Sequence, residues 1–264
     1  GDASAREFGR RFHDATKRLG YRFSVQTCRG DGDLRRTLRV AYHRGIRVVI
    51  LWRIWNSELF VEAETWAPFV VLAIGDYPAR VPFHQIRMSP IEAAIRLTDE
   101  TFARGYHRPG WIVEQHPEPM VVDHARLGIA SVVSGGGRLR SAESRSGILP
   151  LVLDFGYDAR AAGAAFSQWY RKHRPDAIIS TTARALKLLR NAGLDIPGTI
   201  GFATENAVSD GITGIRKDPE AFNETIAWTV DMLFRRHATG APSQPLTTIV
   251  PITWHEGGTL PTKE

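Results

Sequence analysis

The chain has 264 residues, 43% hydrophobic and 23% charged, room for two lobes or one large α/β domain. No apolar run approaches the ~18 residues of a membrane helix, and no charged-then-apolar leader opens the chain. The net charge of +6 and pI near 9.8 favour anionic partners, unless the arginine content only reflects a GC-rich genome. Cys28 is the only cysteine, so no internal disulfide forms, which fits a reducing, cytoplasmic location.

In chain order, residues 5–19 carry Phe8, Phe12, Ala15 and Leu19 at helical spacing. Residues 21–26 alternate as a strand. Residues 33–44 form a second helix with Leu34, Leu38 and Ala41 inward. The β-branched run 46–51 reads as a strand buried on both faces of a parallel sheet. A helix over 57–66 and a buried strand over 69–74 follow. Such alternation points to right-handed βαβ units.

Ser89 and Pro90 suit a helix start, as cap and first-turn residue. That helix runs to Phe102, and Gly105 ends it in the left-handed region. Tyr106-His107-Arg108-Pro109 cannot prolong it, because the residue before a proline disfavours α geometry. A strand over 111–113 comes next, then a polar loop with Pro117 and Pro119. Residues 121–133 read as a helix, and 134–147 as a glycine-, serine- and arginine-rich surface connection. Strands over 149–153, 176–180 and 199–203 alternate with helices over 158–173 and 183–192. Asp218 or Pro219 opens a long helix with Phe222, Ile226, Val230 and Leu233 on one face. A last strand spans 246–254, before a polar tail.

The turn Ala103-Arg104-Gly105-Tyr106-His107-Arg108 before Trp111-Ile112-Val113 resembles one in the lactose-repressor/galactose-repressor family. There a Leu-Gly-His-basic-basic turn leads into a strand that crosses between lobes. Asn191-Ala192-Gly193-Leu194-Asp195-Ile196-Pro197, with Gly201-Phe202 shortly after, is similar to the family's Gly-Leu-x-Val-Pro … Gly-Phe-Asp-Asp passage. Thr213-Gly214-Ile215-Arg216-Lys217-Asp218 is similar to the segment that returns to the first lobe.

The resemblance implies a two-lobed α/β fold like that of type I periplasmic binding proteins, each lobe a parallel sheet flanked by helices. One lobe is expected over 1–108 with 219–240, the other over 109–218 with 241–264. It implies the effector-binding core of a bacterial transcriptional regulator, a homodimer with a small molecule bound between the lobes. That motion would respace two DNA-reading headpieces on operator DNA. Neither a headpiece nor the family's opening strand is present, which implies a piece of a longer protein. The alternatives are a periplasmic solute-binding protein of a transport system and an enzyme on a similar scaffold. The coding sequence upstream of Gly1 distinguishes the first two.

Arg126 matches the arginine that grips hydroxyls in sugar-binding members. Thr181 and Thr182 stand where the family has Asn-Asp, Ala203 where it has Asp, and Met88 or Ser89 where it has a first-lobe Asp. An aldohexose site needs those acids, because unpaired buried hydroxyls cost binding energy. A sugar derivative or anionic metabolite is therefore the expected effector. Trp52, Arg53 and Trp55 follow a buried strand, where open α/β sheets place their crevice; the other reading is packing at the lobe surface or a dimer interface. Glu205 and Lys217 lie in segments expected to face the cleft, and His107 reads as a structural turn residue.

No His/Cys metal spacing, nucleophile elbow or dinucleotide glycine motif is present, and Cys28 has no catalytic partner in sequence. No cofactor, metal or catalytic residue is expected.

Overall fold

The computed structural model describes residues 3–28, 30–52, 62–75, 83–115, 147–154 and 156–263. The chain divides into two compact units, each with its own parallel sheet. Unit 1 is Gly1–Met88 with Lys217–Pro251, and unit 2 is Ser89–Arg216 with Ile252–Glu264.

Unit 1 holds helices α1 (Ala3–Arg18), α2 (Asp31–His43) and α3 (Ala63–Trp66), and strands β1 (Val48–Trp52), β2 (Val70–Ile74) and β3 (His84–Met88). Its sheet is completed from the far end of the chain by β9 (Thr247–Val250), in the order β1-β2-β3-β9 with every pair parallel. The long helix Pro219–Arg235 also belongs to this unit and is α7 below. Strand period assigns the faces. Val70, Leu72 and Ile74 of β2 pack with Phe12 and Ala15 of α1 and Phe222, Ile226 and Val230 of α7. Val71 and Ala73 pack on the other face with Leu38 of α2 and Trp66 of α3.

Unit 2 holds α4 (Pro90–Ala103), β4 (Pro109–Gln115), β5 (Leu151–Asp154), α5 (Ala159–His173), β6 (Ala177–Ser180), α6 (Arg184–Asn191), β7 (Gly201–Thr204), β8 (Gly214–Lys217) and β10 (Ile252–His255). The strand order is β10-β8-β7-β6-β4-β5. On one face Ile112, Ile178 and Phe202 meet Phe166 and Trp169 of α5 and Leu186 and Leu189 of α6. On the other, α4 packs over β4, β6 and β7. Gly110 is required by this packing, since a Cβ there would lie 2.4 Å from the Trp169 ring.

The helix starts follow their caps. Ser89 Oγ accepts from Glu92 N, and Asp218 Oδ1 accepts from the amides of Glu220 and Ala221. The end of α4 is a Schellman turn: Gly105, with φ 79°, donates to Phe102 O, and Tyr106 N donates to Thr101 O. The following turn is tied to Asp176, whose carboxylate accepts from the amides of His107 and Arg108. His107 thus enters this bonding through its backbone.

The structure departs from the sequence reading in several places. Residues 21–26 join no sheet; the Tyr21 hydroxyl donates to Asp231 and the Phe23 ring packs edge-on against Phe12, so side-chain contacts replace a ladder. The single final strand is two: β9 pairs with β3 in unit 1, while β10 joins the sheet of unit 2. Helix α4, expected with the first lobe, groups with unit 2 because its apolar face covers that sheet. The unit boundaries therefore differ from 1–108 with 219–240 and 109–218 with 241–264. β3 went unread because its His-Gln-Ile-Arg-Met sequence has one aliphatic residue at its centre. The expected helix over 121–133 lies outside the described residues, as do most of the loop over 134–147 and the first half of the helix over 57–66.

Candidate functional site

In an open parallel sheet, the crevice lies at the carboxyl ends of strands where the connections diverge. In unit 2 that point falls between β4 and β6. β4 is followed by β5 on one side, while β6 is followed by β7 on the other. Glu114 is the penultimate residue of β4, and Thr181-Thr182 follow β6 at the same level, since Ile112 pairs in register with Ser180.

Glu114 is the unexpected residue here. Its side chain is 5% exposed, and its Oε2 is held by the Arg184 guanidinium at the start of α6. Its other oxygen, Oε1, is buried with no hydrogen-bond partner. Burial pushes the Glu114 carboxyl up from its ordinary pKa, against the opposing pull of Arg184 and the Thr182 hydroxyl. Arg184 is 49% exposed and lies over the Tyr157 ring, 5.4 Å from its centroid. Burial, with the negative Glu114 nearby, holds the Tyr157 phenol above its usual pKa.

The threonines are built into the same corner. Thr181 Oγ1 accepts from the backbone of Glu114 at 3.0 Å, and Thr182 Oγ1 accepts from Arg184 N at 3.2 Å. Glu205, next along after β7, is 3% exposed, and its amide donates to Ser180 O. A ligand reaching this edge meets hydroxyls, one guanidinium and buried carboxylate, a set suited to a polar molecule with both hydroxyl and anionic groups.

Of the residues singled out from sequence, Thr181, Thr182 and Glu205 thus fall together on adjacent strand ends of unit 2. Trp52 ends β1 in unit 1, half-buried against the core that contains Leu72 and Phe12. Lys217, the last residue of β8 and the first of the returning segment of unit 1, is exposed, with its ammonium 4.6 Å from the Phe222 ring centroid. Arg126, Arg53 and Trp55 lie outside the described residues. Ala203, read as a lost acid, is fully buried in the middle of unit 2's sheet. Glu114, Arg184 and Tyr157 were missed. The signal for Glu114 was available: a carboxylate inside the apolar run Trp-Ile-Val-Glu-Gln has to be paired or protonated if the strand is buried.

Among the described residues no group of His, Cys, Asp and Glu could hold a metal ion, and no helix is long and apolar enough to cross a membrane.

No family model matches the chain, and no curated protein matches it in sequence. Solved structures do match it in three dimensions. A LacI family transcriptional regulator from Silicibacter pomeroyi superposes with a TM-score of 0.65 at 13% identity, covering 100% of this chain and 96% of that one. A periplasmic binding protein/LacI transcriptional regulator from Alkaliphilus metalliredigens, complexed with D-xylulofuranose, gives 0.65 at 14%, covering 97% and 93%. The lac repressor dimer bound to operator and an anti-inducer gives 0.68 at 12%, covering 98% and 78%. The chain has the fold of these LacI-type regulators. The likeness runs over nearly its whole length, so the resemblance carried by the Gly105–Arg108 turn and the Gly201-Phe202 passage is upheld at the level of fold.

Proposed function

We propose that this chain is the ligand-sensing core of a bacterial DNA-binding transcriptional regulator. What supports it is the whole-length match in fold to regulators, one crystallised with a pentulose and another with operator and anti-inducer. In this reading the carboxyl edge of unit 2's sheet receives the effector, Thr181, Thr182 and Glu205 line it, and Glu114 and Arg184 join them. Arg126, Trp52, Arg53 and Lys217 remain proposed contacts. DNA is read by a headpiece outside this chain, and the working form is a homodimer in the cytoplasm. A solute-binding protein of a transport system is the second reading, favoured by the mixed family name of the Alkaliphilus neighbour.

The effector class follows from the donors and acceptors. The buried Glu114 Oε1 calls for a hydroxyl or ammonium donor, and the half-exposed Arg184 for an anionic group. A sugar acid or sugar phosphate carries both. A calorimetric screen of neutral sugars, sugar acids and sugar phosphates tests this, with wild type, Glu114→Gln and Arg126→Ala. The expected outcome is binding of an acidic sugar that weakens at least tenfold in Glu114→Gln. Tight binding of glucose, galactose or ribose, unchanged in both variants, would sink the assignment.

A further inference from the structure

The positive charge of this chain is not spread evenly. Residues 1–47 hold 12 of the 34 Lys and Arg residues but only 5 of the 28 Asp and Glu residues. The net charge of the segment is thus +7 against +6 for the whole protein, and the remaining residues sum to −1. The excess comes to the surface on α2 and its C-cap, where Arg35, Arg36, Arg39, His43 and the capping Arg44 are all exposed.

An exposed basic helix face is ordinarily only a solvated one, and three features set α2 apart. Arg36 and Arg39 lie in the body of the helix, away from its carboxyl end, so the helix dipole does not explain them. Among the ion pairs of the described residues, only Arg35 of this face has a carboxylate, Glu62. Arg47, by contrast, is used internally: it stacks on Tyr42 and donates to the carbonyls of Tyr42 and Ile46, finishing the helix. Arg36, Arg39 and Arg44 therefore form a stripe that, among the described residues, makes no ion pair, with Asp33 as the exposed acid at its amino end. At about 1.5 Å rise per residue it is roughly 12 Å long.

We propose that this face of α2 is an electrostatic docking surface for the phosphate backbone of duplex nucleic acid. Arginine forks match phosphate oxygens, and a row of exposed arginines that outnumbers the acids of its helix is complementary to a polyanion of uniform charge. The contact proposed is to phosphates, which position a protein on the duplex and carry no sequence information.

The test uses the chain as it stands and a fluorescent duplex of arbitrary sequence, followed by anisotropy. Three phosphate contacts predict a log–log salt slope of about −2.7, hence roughly 40-fold weaker binding between about 50 and 200 mM salt. The triple variant Arg36→Glu/Arg39→Glu/Arg44→Glu should lose at least tenfold in affinity at low salt and most of that slope. A control, Arg171→Glu/Lys172→Glu/Arg190→Glu, makes the same charge change at exposed positions of unit 2 and should stay within twofold. Circular dichroism confirms that both variants fold. Equal loss in the two triples would make the binding a matter of net charge and overturn the assignment. So would absence of wild-type binding at low salt, or competition by polyglutamate as effective as duplex at equal charge.

Discussion

Two strands of this chain invert what their sequences lead one to expect. β1 reads Val-Val-Ile-Leu-Trp, as apolar as a strand can be, yet only Leu51 is buried and the other four residues are half-exposed. β4 reads Pro-Gly-Trp-Ile-Val-Glu-Gln, with a carboxylate inside it, yet its first six residues are buried. The difference is position. β4 lies between β5 and β6 with helices on both faces, whereas among the described strands β1 pairs only with β2. Hydrophobic run length measures what a strand could bury; its neighbours decide what it does bury.

The comparison is tested first where the effect is largest. Ile178, fully buried in β6, should cost about 2–5 kcal/mol when truncated to Ala. Ile50 in half-buried β1 should cost about 1 kcal/mol, a fraction of full burial. Urea unfolding read by hydrogen exchange resolves the two sheets. Equal losses would mean that β1 is as deeply covered as β6.

A smaller effect is expected at the carboxylate of β4. Arg184→Ala leaves Glu114 buried and charged, at a cost of about 1–3 kcal/mol near pH 7. Burial already raises the Glu114 pKa, and loss of Arg184 raises it further, so the folded state holds this proton more tightly than the unfolded state. The stability lost by the variant should therefore return as pH falls through the folded pKa, and be complete below the ordinary carboxylate value. Denaturation at pH 7 and at mildly acid pH gives the comparison. The same loss at both would show that Arg184 acts through packing.

The smallest effect belongs to the other sheet. His84, buried at the start of β3, accepts a hydrogen bond at Nδ1 from Leu246 N, at the approach to β9. Burial lowers its pKa from 6.5. Stability from neutral His84 is present above that value and is lost as pH falls from 6.5 through the lowered folded pKa. The bond is worth about 1 kcal/mol, a shift of about 2–4 °C in Tm for a chain of this size. Wild type should lose that much relative to His84→Gln on acidification through this window; parallel pH profiles would count against a role for the β3–β9 join.

Much of this was legible in the chain. The starts at Ser89 and Asp218, the glycine stop at Gly105 and the period of α7 are local signals, and each of these elements starts or stops where local hydrogen bonding dictates. The βα alternation pointed to parallel βαβ units, and the family resemblance of the turn around Tyr106–Pro109 implied two lobes. Tertiary structure alone decided the rest. The sequence by itself did not show that residues 247–250 and 252–255 belong to different sheets, because the pairing of a strand is a choice among distant partners. Nor did it show that residues 21–26 stay out of the sheet, or that Glu114 meets Arg184, 70 residues away. Alternation and capping are written within a few residues of themselves. Burial of a charge and the identity of an edge depend on which strands stand beside which, and that is settled only when the chain closes on itself.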